Sequence, residues 1–248
     1  GTALEAAPRP ERIPLSPAQN RMWFLNRFDP ESAAYNLPLA IRLTGILNVA
    51  ALDTAVHDVL ERHESLRTVF PDDGDGPVQV ILPADRVDLD LTPVDVTADE
   101  LPDEVRRTLH GGFDVTAGIP IRGRLLRTAV DEYVLVIVVH HISGDAVSMG
   151  PLARDVMVAY TARSAGRAPD WSPLPMQYAD FAIWQHAALG SETDPESLSA
   201  QQIRYWTETL SGLPDLLELP TDRPRPAVPT QRGDTVRFDI PAATTVHS

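Results

Sequence analysis

The run His140-His141-Ile142-Ser143-Gly144-Asp145 gathers two imidazoles, a hydroxyl and a carboxylate within a few positions. Imidazole titrates near pH 6.5, which suits it to hold or move a proton at neutrality. The run ends an apolar stretch, Tyr133 to Ile142, that reads as a β-strand. Neighbouring strand residues point to opposite faces, so the two histidines are badly placed to chelate one metal together. One faces a surface or cleft, and the other goes inward, where it needs a hydrogen-bond partner. Residue types alone leave a structural and a catalytic reading open; the strand-end location and the Ser-Gly-Asp turn favour catalysis. A hydrolase relay of Ser143, His141 and Asp145 is poorly supported. Such close sequence neighbours do not form a linear triad, and no Gly-x-Ser-x-Gly elbow is present. A metal site from His57, His63 and His110 is weaker still, since a helical stripe accounts for His63.

Other segments must position this run. Ser16-Pro17-Ala18-Gln19 has serine at a cap, proline at the first helical position and glutamine three residues on, a capping box. Tyr35 to Leu43 alternates as a strand. Asn48 caps an amphipathic helix carrying Leu52, Ala55, Val56, Val59, Leu60 and His63. Leu66 to Phe70 and Val78 to Leu82 flank Asp73-Gly74-Asp75-Gly76 as a hairpin. Asp88 to Val96 is a weaker strand, and Leu101, Val105 and Leu109 mark a helix ended by Gly111-Gly112. Ile121 to Thr128 and Tyr133 to Ile142 form a second hairpin around Asp131-Glu132, its latter strand central and covered on both sides because it is apolar on both faces. Met149, Leu152, Val156, Ala159 and Tyr160 stripe the next helix, with Pro151 in its first turn. Met176 to Leu189 and Asp194 to Leu210 read as helices, the second striped by Ile203, Trp206 and Leu210. Leu217 to Pro229 is a proline-rich crossing, and Thr235 to Ile240 starts another strand. The order is mixed and repeatedly antiparallel, which gives an α+β class with helices expected on one face of the sheet.

Composition narrows the function. The 248 residues carry a formal charge of −14, and the basic residues are all arginine. That balance argues against a nucleic-acid binder or an anionic-membrane binder. Without cysteine there is no thiol nucleophile, disulfide or thiolate-ligated metal; without lysine there is no P-loop. The longest apolar run, Val134 to Val139, is too short to span a bilayer. With no leader pattern, and Gly1-Thr2 reading as a processed start, a soluble, cytoplasmic protein is expected.

Four segments, in order, resemble the N-terminal half of a condensation domain of nonribosomal peptide synthetases, in the chloramphenicol-acetyltransferase-like superfamily. They are Ser16-Pro17-Ala18-Gln19-Asn20-Arg21-Met22-Trp23-Phe24-Leu25, Arg62-His63-Glu64-Ser65-Leu66-Arg67-Thr68-Val69-Phe70, the His140–Asp145 run with Ala146, and Gln177-Tyr178-Ala179-Asp180-Phe181-Ala182-Ile183-Trp184-Gln185. The resemblance implies an α+β half-domain: residues 1–14 a linker, 15–175 the N-terminal subdomain, 176–234 helices and the crossing, and 235–248 the start of a truncated C-terminal subdomain. It implies attack of a carrier-bound amine on a carrier-bound acyl thioester. The partners are then an upstream donor and a downstream acceptor peptidyl carrier protein and the missing second half of the same domain, with no nucleic acid and no membrane. No cofactor is held by the chain itself; the substrates ride on phosphopantetheine arms. His141 matches the catalytic histidine and takes a proton from the amine or holds it. His140, Asp145, Arg67 and Arg62 structure the site. Asp145 needs a cation if buried, with Arg67 the first choice and Arg62 the second. Arg21 and Trp23 read as helix surface and helix core.

Two departures stand out. The family motif ends Asp-Gly, often followed by tryptophan, where this chain has Ala146 and Val147 beside the expected acceptor tunnel. Alanine costs up to about 1 kcal/mol if that position is left-handed, and nothing at an ordinary helix start. The chain also holds one half of a two-half site, so little condensation is expected of it alone. A non-catalytic docking module, an acyl-CoA-dependent acyltransferase and an epimerising relative are the alternatives. The first gains from Ala146 and Val147, the second loses from the acidic charge, and the third loses from the opening motif.

Overall fold

The computed structural model describes residues 8–191 and 193–213. The chain divides into two compact units, 1–206 and 207–248. The expected crossing at Leu217 to Pro229 and strand at Thr235 to Ile240 lie outside the described residues. The first unit contains α1 (Pro17–Phe28), β1 (Asn36–Thr44), α2 (Val49–Arg62), β2 (Thr68–Val69), β3 (Val80–Ile81), β4 (Val94–Asp95), α3 (Leu101–Leu109), β5 (Ile121–Ala129), β6 (Glu132–His140), α4 (Met149–Ser164) and α5 (Tyr178–Leu189). A last helix, α6 (Leu198–Thr209), begins there. No described helix is long and apolar enough to cross a membrane.

Local signals start the helices where the sequence places them. Ser16 Oγ accepts from the Gln19 amide at 3.1 Å, and Gln19 Oε1 accepts from the Ser16 amide at 2.9 Å, closing the expected box around α1. Asn48 Oδ1 accepts from the Ala51 amide at 3.0 Å and caps α2. Pro151 sits in the first turn of α4, where its missing N–H costs nothing. The Ile203 and Trp206 stripe of α6 is exposed, and Ala200 is the helix's buried residue among those described.

The main sheet has the order β1-β6-β5-β4, with β6 antiparallel to both neighbours and β4 parallel to β5. β6 is thus central, and every residue from Tyr133 to His140 is buried. Its odd positions, Leu135, Ile137 and Val139, pack with Leu52 and Val56 of α2 and Leu152 and Val156 of α4. Its even positions, Val134, Val136 and Val138, pack with Trp23 of α1, Phe70 and Phe113, and Leu101 and Val105 of α3 join them. Both faces of β6 are thus covered, as its composition requires, and helices supply that cover on both, not on one face as the order of elements suggested. A strand apolar on both sides demands this, since each buried aliphatic side chain contributes about 1.5–3 kcal/mol.

Several extents differ from the sequence reading: α5 and α6 begin at Tyr178 and Leu198, later than Met176 and Asp194, and the first hairpin pairs only Thr68–Val69 with Val80–Ile81. β6 ends at His140: the His141 amide still makes the ladder bond to the Tyr35 carbonyl at 2.8 Å, but the Ser143 amide closes on the His140 carbonyl at 3.0 Å and turns the chain out of the sheet. Of Asp88 to Val96 only Val94–Asp95 joins the ladder, while Leu89 and Leu91 cover the sheet as irregular chain. The described part of the expected linker, residues 8–14, is pinned to the fold. Ile13 bridges Gln79, and Arg12 pairs with Asp73 at 2.7 Å.

The turn after α3 is drawn in tightly. Arg122 donates to the Thr108 and Gly112 carbonyls at 3.0 and 2.9 Å and to that of Gly111, with its guanidinium 4.2 Å over the Phe113 ring. A Cβ on Gly112 would fall on the Pro30 carbonyl oxygen and lie 2.6 Å from Glu31 Cα, both of them backbone. Gly112→Ala is expected to lower stability by at least about 2 kcal/mol in urea unfolding. Gly144→Ala, whose Cβ meets nothing closer than 3.7 Å, is expected to change it little.

Candidate active site

The strand's two-residue period separates the histidines. His140 continues the even face and is 1% exposed, with the Phe113 ring edge-on at 5.8 Å. Its Nδ1 lies 3.1 Å from the Ile142 amide and accepts from it, so the ring proton belongs on Nε2. Burial pushes its pKa down to about 4, helped by the charges of His141 and Arg122. His140 is a neutral spacer inside the fold. His141 lies past the strand end with its side chain exposed, in the wall of a cleft of about 710 Å³.

All four motif segments border that cleft. α1 brings Arg21 and Met22, the chain after α2 brings His63 and Leu66, the turn after β6 brings His141, Ser143 and Asp145, and α5 brings Tyr178. Hydrogen bonds tie these walls together. Ser16 Oγ and Tyr178 Oη are 3.0 Å apart. Gln177 receives the Glu64 amide at 3.1 Å and donates to the Arg62 carbonyl at 2.9 Å, gripping the chain on either side of His63. Asp180 accepts from the Gln177 amide at 3.0 Å, and its carboxyl is held below the usual range chiefly by Arg9 at 2.8 Å. Arg9 also reaches Glu64 at 2.8 Å.

The expected partner of Asp145 is not Arg67 or Arg62. Asp145 is exposed, so water solvates its charge and no cation is required. Its Oδ1 accepts from Ser148 Oγ at 2.6 Å and the Ser148 amide at 2.9 Å, which lowers its pKa and caps the short 3-10 turn Ala146–Ser148. Arg67 donates to the carbonyls of Leu60 at 3.0 Å, Leu82 at 2.6 Å and Glu61 at 3.3 Å, and so clasps the end of α2 to the chain after β3. Arg62 meets the buried carboxylate Asp155 at 3.2 Å, donates to the Ser172 carbonyl at 2.6 Å and lies 4.7 Å over the Trp171 ring. His63 Nε2 shares Asp155 at 2.8 Å.

Sequence reasoning missed Asp155 and Arg9. Asp155 sits next to Val156 on the buried stripe of α4, where a carboxylate signals a buried ion pair. Arg9, in a proline-rich stretch, gives no local signal. Ala146 opens a right-handed 3-10 turn that alanine adopts freely, so no left-handed strain arises there. Val147 borders the cleft and Ala146 does not. Among the described residues no group of three His, Asp or Glu side chains comes together to hold a metal.

The depressed pKa of His140 fixes a pH dependence. Unfolded, the ring takes a proton near pH 6.5; folded, it refuses one until about pH 4. Its stabilising contribution is therefore complete above pH 6.5 and is lost as pH falls toward 4. Between pH 7 and 5 the loss from this group is about 2 kcal/mol. Urea unfolding of His140→Gln, which keeps an acceptor for the Ile142 amide, is expected to show a slope with pH flatter by that amount. An unchanged slope would contradict it.

Comparison with known proteins agrees with this architecture. The chain is 51% identical over 242 residues to a probable non-canonical nonribosomal peptide synthetase, CymA, of Salinispora arenicola, covering 98% of this chain and 3% of that protein. It is 49% identical to a dimodular nonribosomal peptide synthase of Bacillus subtilis, covering 96% of this chain and 10% of that one. Among solved structures, the X-domain in complex with OxyB from teicoplanin biosynthesis is 44% identical, with a TM-score of 0.84 over 93% of this chain and 50% of that chain. The starter condensation domain of the rhizomide synthetase RzmA, at 21% identity and a TM-score of 0.70 over 83% of this chain and 49% of that one, shares the fold. The chain thus spans a small fraction of its curated relatives and about half of its structural neighbours. The condensation domain family model matches residues 10–247, and the chain belongs to that family.

Proposed function

We propose that the cleft around His141 is one wall of an amide-forming site. There, an amine carried on one phosphopantetheine arm attacks an acyl thioester carried on another. The observation that carries this reading is the split of the histidine pair, with His140 locked neutral inside and His141 displayed in the cleft. Attack makes the amine nitrogen positive, and that nitrogen must lose a proton as the carbonyl carbon becomes tetrahedral. His141 accepts a hydrogen bond from the amine N–H and takes up that proton. As the carbonyl re-forms and the C–S bond breaks, the same proton passes to the departing sulfur, which leaves as the thiol and restores neutral His141. Much of the gain comes from holding the two tethered groups together, because part of a free α-amine is already unprotonated near neutrality. Asp145 serves by capping the turn that follows His141, not as a proton carrier. The partners are the donor and acceptor carrier proteins and the other half of the domain. The chain itself holds no cofactor in this scheme.

One observation favours a second reading. The 44% identity to an X-domain solved with OxyB exceeds the 21% identity to a starter condensation domain. On that reading the same surface holds carriers or a tailoring protein without catalysis.

The experiment is His141→Ala in an intact synthetase bearing this segment, with both carriers loaded. Amide formation is expected to fall at least about a hundred-fold, with the melting temperature unchanged because the ring is exposed. Unaltered product formation would refute the role of His141. Absence of product from the unsubstituted protein, with carrier binding retained, would establish the docking reading. The isolated 248 residues are expected to form no dipeptidyl carrier, and measurable product from them would contradict the half-site assignment.

A further inference from the structure

Ser143 does no work in the scheme above, and its side chain is unusual. Its amide closes the turn on the His140 carbonyl at 3.0 Å, which fixes its backbone two residues from His141. Ile142 before it goes into the core, and Gly144 after it has no side chain. Ser143 borders the same cleft as His141, yet its Oγ is buried and has no hydrogen-bond partner among the described residues. A hydroxyl is both donor and acceptor, and burying one without a partner is unfavourable. Such a group therefore calls for an explanation beyond packing. Serine has one heavy-atom side-chain torsion, so its hydroxyl changes direction by a single rotation between staggered positions, without movement of the backbone.

We propose that Ser143 is a substrate-positioning residue, its hydroxyl donating to the carbonyl oxygen of the thioester lodged beside His141. The proposal rests on the reading of the cleft as a site for pantetheine-borne thioesters. The division of labour follows from the turn: His141 attends to the amine nitrogen and Ser143 to the oxygen of the group it attacks. No bond to Ser143 forms or breaks. The residue is not a nucleophile, in keeping with the lack of a histidine hydrogen-bonded to it.

A chemical double-mutant cycle tests this. An intact condensation domain bearing this segment as its first half, and its Ser143→Ala variant, are titrated by NMR with butyryl-pantetheine, a thioester, and with S-butyl-pantetheine, a thioether lacking only that carbonyl oxygen. Ser143→Ala is expected to weaken thioester binding about five- to ten-fold, the size of one lost neutral hydrogen bond, and to leave thioether binding unchanged. The melting temperature is expected to stay the same or rise, because an unpaired buried hydroxyl has been removed. Equal weakening of both probes, or no weakening of either, overturns the proposal while leaving the cleft a pantetheine site. A fall in melting temperature assigns Ser143 a structural bond and also overturns it. Failure of both probes to bind the unsubstituted intact domain overturns the proposal together with the reading on which it rests.

Discussion

An extended chain reverses the direction of its side chains at every residue, and the site depends on this reversal at the end of β6. The strand is buried on both faces, so its parity cannot slip without moving an apolar set out of one core and into the other. His140 is thereby committed to the side of Phe113 and Trp23, and His141 falls on the side where the cleft opens. Antiparallel pairing with β1 and β5 fixes the register, matching Asn36 to His140 and Ile121 to Val139. Two chemically identical side chains in sequence then take opposite roles from environment alone. One is desolvated and neutral, and the other is exposed and available.

The cleft's remaining walls are set by charge and hydrogen bonding. Asp155 gathers Arg62 and His63, which anchors the chain leaving α2 against α4. Arg9 gathers Asp180 and Glu64, which anchors α5 against the same chain. Gln177 completes the seam with its two bonds to backbone on either side of His63. These carboxylates are at least partly withdrawn from water and need cations; Asp145 is not and does not. A motif aspartate and a buried aspartate are thus different residues in this chain.

What the sequence makes legible follows from how local the physics is. The capping box at Ser16, the cap at Asn48 and the placement of Pro151 are decided within one helical turn and are readable directly. The central place of β6 and the split of the histidines need only a two-residue period. The sheet's cover is a longer-range matter. The apolar character of both β6 faces already demands helices on both sides, but the mixed order of elements obscures it. The partner of Asp145 was illegible because it depends on whether that carboxylate is buried, and the turn Ala146–Ser148 keeps it in water. Arg9 was illegible because its partners lie far along the chain and its own neighbours are prolines. The four motif segments pointed to the cleft because each supplies part of its wall.

Long-range proton–nitrogen NMR of the histidine rings tests the central claim most directly. The account predicts that His140 is a neutral ring with its proton on Nε2 throughout pH 7 to 5, and that adding an aminoacyl-pantetheine thioester moves the signals of His141 and not those of His140. A His140 ring that takes up a proton near pH 6.5, or carries its proton on Nδ1, or responds to the thioester in place of His141, would contradict it.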